Sequence, residues 1–181
     1  NEHWDWGLPL PVDGHNPFGG MYTGLEMQNY DEDTPEKLEQ MLGWLDQADH
    51  IFLASNRLYA SIPRLPARYP MTINYYRRLF SGELGFELVA DFTSRPALGP
   101  FQFPDQECPF PLMEAAYVHQ AQPLVVRLPP AEEAFSVYDH PRVLIFKKTA
   151  RFDLARVRAM LTEGVDWSQV AHGLHPQDVT R

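Results

Sequence analysis

The chain has 181 residues and a mass of 20.8 kDa, which at roughly 100–200 residues per domain is one domain. Its 44% hydrophobic and 22% charged residues exclude wholesale disorder, and its 17 prolines, against a usual share of about 5%, exclude a helical bundle or coiled coil. A formal charge of -9 and a pI near 5.1 argue against nucleic acid or an anionic membrane surface as a general partner.

Residues 1–33 are rich in Gly and Pro and keep no period, so they read as an irregular arm packed on the domain. A helix is expected next. Thr34 caps it, Pro35 takes the favoured first position, and Leu38, Met41, Leu42, Leu45 and Ala48 share a face. Ile51, Phe52, Leu53 and Ala54 form a short continuous apolar run, which suits an interior strand covered on both faces. A helical turn is expected at residues 56–60. Pro63, Pro66 and Pro70 then predict irregular chain as far as Met71. A second helix spans 72–83, burying Ile73, Tyr76, Leu79 and Phe80 and ending at Gly82 or Gly85.

Residues 86–93 have strand composition. Residues 95–133 carry eight prolines and read as a long surface excursion with one short strand at 124–128. Two strand-like runs at 135–138 and 142–147 flank the corner Asp139-His140-Pro141, to which we assign a turn-forming, structural role. Asp153 caps a last helix, with Leu154, Val157 and Leu161 on one face and Gly164 behind it. The expected fold is α/β: one domain at 34–164 with a mixed sheet, parallel at its centre and antiparallel at one edge, flanked by helices. Residues 165–181 form a C-terminal tail.

Charge is unevenly spread. Residues 1–49 hold 11 acidic groups against Lys37 alone, whereas 50–82 hold Arg57, Arg64, Arg68, Arg77 and Arg78 and no acid. This predicts that Arg57, Arg64 and Arg68 converge with acids of the first segment. The competing reading uses Asn56, Arg57, Tyr59, Arg64 and Arg68, just beyond the apolar strand, as a phosphate or sugar site, with guanidinium forks for the anion and tyrosine faces for stacking. Trp4 and Trp6 are further candidates for stacking on a sugar; Trp44 and Trp167 are not, Trp44 being on the first helix.

His3, Asp5, Asp13 and His15 have ligand chemistry, but their spacing matches no metal signature, and Asp31-Glu32-Asp33 is explained by the helix that follows. No metal is therefore assigned. His140 beside Asp139 has the makings of a general base, though a histidine in a tight corner more often bonds backbone. No nucleophile motif or Gly-rich phosphate loop is present. The single cysteine, Cys108, excludes an intramolecular disulfide and any multi-cysteine metal site. No run approaches the roughly 18 apolar residues of a membrane span. Because the chain opens at Asn1 without Met, a piece of a longer protein is expected.

Several phrases resemble one family. They are His3-Trp4-Asp5-Trp6-Gly7-Leu8-Pro9-Leu10, Leu45-Asp46-Gln47-Ala48-Asp49, Ser55-Asn56-Arg57-Leu58-Tyr59, Pro63-Arg64-Leu65-Pro66, Arg68-Tyr69-Pro70, Tyr75-Tyr76, Leu79-Phe80, Leu84-Gly85-Phe86 and Val137-Tyr138-Asp139-His140-Pro141. Over roughly residues 1–148 the chain is similar to the soluble portion of large prokaryotic polytopic membrane proteins. These are the YYY membrane proteins, allied with the family 39, protein-mannosyltransferase-like glycosyltransferases.

The resemblance implies a domain on the extracytoplasmic face of the membrane, tethered to a membrane-embedded region of the same polypeptide. A polyprenyl-phosphate-linked sugar is then the donor of the whole protein, and the catalytic carboxylates lie in that region. Where the family phrase reads Trp-Asp-Asp, this chain has Trp4-Asp5-Trp6, so one acid is missing and no catalytic residue carries over. The expected function is that of an accessory domain that holds acceptor or lipid-linked donor without catalysis or a cofactor of its own. The alternatives are a glycan- or protein-binding module using Trp4, Trp6 and the 95–133 excursion, and a small metal-dependent hydrolase using Asp5, Asp13, His15 or His140.

Overall fold

A computed structural model describes residues 24–93, 97–103, 108–113, 124–126 and 141–171. Helix α1 (Pro35–Gln47) starts where the sequence predicts: the Thr34 side chain accepts from the Lys37 backbone N–H at 3.1 Å, and Pro35 needs no donor there. Leu38, Met41, Leu42 and Leu45 are buried along it. Strand β1 (His50–Leu53) leads into a short helix, α2 (Arg57–Ser61), and a 3-10 turn, Ile62–Arg64. Helix α3 then begins at Pro70 and runs to Phe80. Pro63 and Pro70 thus interrupt less than the sequence reading expects. Each sits in the first two positions of its helix, where a missing N–H costs no bond.

Helix α3 buries every residue from Met71 to Tyr76 as well as Leu79 and Phe80. Gly82 and Gly85 follow in the left-handed region, at φ 79° and 83°. Strand β2 (Phe86–Phe92) comes next, then three two-residue strands: β3 (Ala97–Leu98), β4 (Phe101–Gln102) and β5 (Leu124–Val125). Strand β6 (Val143–Lys148) and helix α4 (Leu154–Leu161) complete the described elements. The Asp153 carboxylate caps α4 by accepting from the Arg156 backbone N–H, as expected. Val157 and Leu161 are buried; Leu154 keeps the i, i+3, i+7 spacing of their face but, as the first residue of the helix, is 37% exposed.

The main sheet has the order β1–β6–β2, and both of its ladders are antiparallel. This corrects two expectations. β1 is an edge strand of the described sheet, and the sheet has no parallel centre. The chain does build a strand–helix–strand unit, β1–α2–α3–β2, whose two strands point the same way. They are not neighbours, because β6 returns from far along the sequence and lies between them, running opposite to both. The apolar run that suggested two covered faces alternates instead: Ile51 and Leu53 are buried, His50 is exposed and Phe52 is half-buried.

One face of the sheet presents Ile51, Leu53, Phe86, Leu88, Leu144 and Phe146 to the helices, with Phe80 of α3 stacked on Phe146 at 5.8 Å between ring centres. The core is therefore two-layered and rich in rings: Tyr59, Tyr69, Tyr75, Tyr76, Phe80, Phe86 and Phe146 are all fully buried. A second, small sheet is ordered β3–β4–β5, antiparallel between the first pair and parallel between the second. It realises the first two residues of the strand expected at 124–128. The run expected at 135–138 lies outside the described residues.

Candidate functional site

The inner end of the main sheet gathers the most chemistry. Strand β2 pairs with β6 in one register up to Leu88, opposite Phe146, and in another from Ala90, opposite Ile145, so Val89 is the extra residue of a bulge. Directly opposed residues share a face. Beyond the bulge, Asp91 faces Leu144, a buried inward residue, and Arg142 lies two residues before Leu144 on the same side. Without Val89, Asp91 would point to the other face. The two side chains meet as a fork, Nε to Oδ1 at 2.9 Å and Nη2 to Oδ2 at 2.6 Å, at 14% and 15% exposure.

Burial opposes the Arg142 charge, but the hydrogen bonds and field of Asp91 outweigh it and the guanidinium is held above its ordinary value. The half-buried Cys108 thiol is close enough to feel Arg142. Burial pushes it up, and Sγ is 3.3 Å from the Phe110 carbonyl, to which it donates. Tyr59 lies within electrostatic range of Arg142 as well. Because β1 and β6 pair with Leu53 opposite Leu144, continuing that register places Ser55 opposite Arg142. The phrase Ser55-Asn56-Arg57-Leu58-Tyr59 and the residue that follows Asp139-His140-Pro141 therefore come to the same end of the sheet.

The structure divides the five residues of the expected anion or sugar site. Asn56 is 5% exposed, and its Oδ1 accepts no hydrogen bond among the described residues. Tyr59 is wholly buried, edge-on to Phe80 at 5.1 Å and to Tyr76 at 6.3 Å. Its face is used by the core and offers no platform for a ligand. Arg68 forms an ion pair with Glu32 at 3.3 Å and lies over the Tyr69 ring at 5.3 Å, which meets the expected convergence with the acidic segment. Arg57 and Arg64 engage groups of their own, Arg57 half-buried at the start of α2 and Arg64 exposed. Trp4, Trp6, His3, Asp5, Asp13, His15, Asp139 and His140 lie outside the described residues.

The sequence reading missed a second cluster. Lys37, the one cation of the first 49 residues, is buried at the junction of α1, α3 and residues 29–33. Its Nζ reaches Asn29 O at 3.0 Å, Asp31 O at 2.6 Å, Asp33 Oδ1 at 3.0 Å and Thr72 Oγ1 at 2.8 Å. Asp33 also accepts from the Thr72 backbone N–H at 2.9 Å and from its hydroxyl. Burial lowers the Lys37 ammonium from its ordinary value, against the pull of Asp33. Nearby, the Tyr69 hydroxyl donates to Tyr30 O at 3.0 Å, and Asn29 Nδ2 donates to the Tyr76 hydroxyl at 3.1 Å. A lone cation amid eleven acids is a signal that could have found Lys37.

Chemically, the two clusters differ from an open active site. Arg142 spends both arms of its fork on Asp91, and Lys37 has all three N–H bonds taken up by four acceptors. Each fixes distant segments together. Among the described residues no three metal-ligating side chains gather, and no helix is long and apolar enough to cross a membrane. Comparison of the chain with family models, with curated proteins and with solved structures returns no match.

Proposed function

We propose that this chain is the extracytoplasmic accessory domain of a polytopic membrane glycosyltransferase. In this reading it holds an acceptor or a polyprenyl-phosphate-linked sugar beside the membrane-embedded catalytic region of the same polypeptide, and does not itself transfer sugar. The observation that carries it is where the family-like phrases fall. Tyr59, Tyr69, Tyr75, Tyr76, Leu79, Phe80, Leu84 and Phe86 come from five separate phrases, and all are in one core. The same phrases also carry exposed residues, Asp46, Gln47, Asp49, Arg64 and Pro66, so the support comes from their apolar and aromatic positions, where packing dictates identity.

The test is sugar transfer from a polyprenyl-phosphate donor, measured for the isolated chain and for the product of the complete reading frame. The expected result is transfer by the complete protein only. Transfer by the isolated chain overturns the accessory role, and a complete reading frame without a series of membrane-length apolar segments overturns the family reading. A second reading, a binding module for glycan or protein, is favoured by the exposed apolar side chains of Leu98, Phe101 and Leu124 on the small sheet, with Phe92 at the end of β2. A glycan array distinguishes the two.

A further inference from the structure

A cleft of about 140 Å³ opens between the turn after α3 and the turn before α4, lined by Ser81, Gly82, Glu83, Gly85, Arg151 and Arg156. It has room for several waters at roughly 30 Å³ each. Its walls are tied together. The Thr149 backbone N–H and hydroxyl both donate to Gly85 O, at 2.9 and 2.8 Å, and Gly85 lies so close to Phe152 that a Cβ there would stand 2.5 Å from the Phe152 Cα. The cleft is thus a preformed feature, made by two glycines at positive φ.

Its charges are unbalanced. The one acid on the rim, Glu83, is already satisfied, one oxygen by Arg78 and the other by the Ser81 hydroxyl at 3.0 Å. The guanidinium groups of Arg151 and Arg156 donate no hydrogen bond to any described residue and form no ion pair with one; the bonds these residues make to Thr149 and Asp153 are through backbone N–H. Elsewhere Arg68, Arg78, Arg142 and Arg158 all hold carboxylates. In a chain with nine more acids than bases, two exposed arginines without a carboxylate partner line one cleft, and a guanidinium fork binds phosphate through paired N–H bonds.

We propose that this cleft binds a phosphate group, either a free phosphate or the phosphate of a lipid headgroup. The proposal rests on the cleft alone and stands or falls separately from the glycosyltransferase reading. The test is an amide NMR titration of the chain with inorganic phosphate, against sodium chloride at matched ionic strength. The expected result is saturable shifts at residues 81–85 and 151–156 that chloride does not give. R151Q and R156Q should each weaken binding by about tenfold or more, while R158Q, at an arginine of α4 that pairs with Glu39 and does not line the cleft, leaves it unchanged.

Vesicles of phosphatidylglycerol and of phosphatidylcholine, in sedimentation, separate the two sources. Binding to phosphatidylglycerol vesicles that R151Q abolishes, without a response to free phosphate, assigns the site to a headgroup. A response to neither probe, or one that R158Q diminishes as much as R151Q, overturns the proposal.

Discussion

At the scale of single residues, burial decides how the polar groups behave. Tyr69 shows this best. Its ring lies under the Lys37 ammonium at 5.5 Å and the Arg68 guanidinium at 5.3 Å, and it is completely shielded from water. Burial pushes its hydroxyl up to about 12, although Arg68 pulls the other way. An acid whose value is raised by folding keeps its proton longer in the folded state than in the unfolded one. The stability this confers is complete below the ordinary tyrosine value near 10 and is lost as pH climbs toward 12. Tyr69→Phe should therefore cost about 1 kcal/mol at neutral pH, for the bond to Tyr30 O. It should also flatten the fall in denaturant midpoint between pH 10 and 12. If the mutant and the wild type fall in parallel, the hydroxyl is not buried as described.

At the scale of elements, what was legible in the sequence was what is local. Thr34 and Asp153 announce their helices because a cap bonds residues three positions away. Gly85 belongs to the same class in its backbone but not in its surroundings. A glycine beyond a helix implies positive φ, yet its crowding against Phe152, 67 positions later, appears only in the fold. The two glycines of this turn should respond differently to alanine. Gly82→Ala places a Cβ 3.1 Å from the end of the flexible Met113 side chain, which can move, so the loss is the backbone strain of about 1–2 kcal/mol. Gly85→Ala meets backbone at 2.5 Å and must push the β6–α4 turn away, so its loss should exceed that of Gly82→Ala by about 1–3 kcal/mol. Chemical denaturation of the two variants checks the order. Equal losses would mean that the turn is free to move.

At the scale of the whole molecule, the order of strands was hidden because nothing near β1 or β2 says that β6 inserts between them. Ile51 and Leu53 read equally well at an edge or a centre, since one covered face and a half-buried Phe52 give the same letters as two covered faces. The Asp91–Arg142 fork was hidden for the same reason, being 51 positions long and dependent on a single extra residue at Val89. By contrast, the Arg68–Glu32 pair followed from the separation of charge along the chain. The same long-range closure continues past α4. Val165 and Trp167 pack on the core, Val170 is buried, and the Ala171 N–H donates to Ala67 O at 2.9 Å, tying this stretch to the loop before α3. A chain ending at Gly164 loses all of these at once. Burying one valine contributes about 1.5–3 kcal/mol, and the partly buried Trp167 adds to it, so the loss should reach several kcal/mol. At roughly 2–4 °C per kcal/mol for a domain of this size, Tm should drop by about 10 °C, with Val170→Ala alone producing a smaller share. An unchanged Tm on truncation would mean that residues 165–171 rest on the domain without stabilising it.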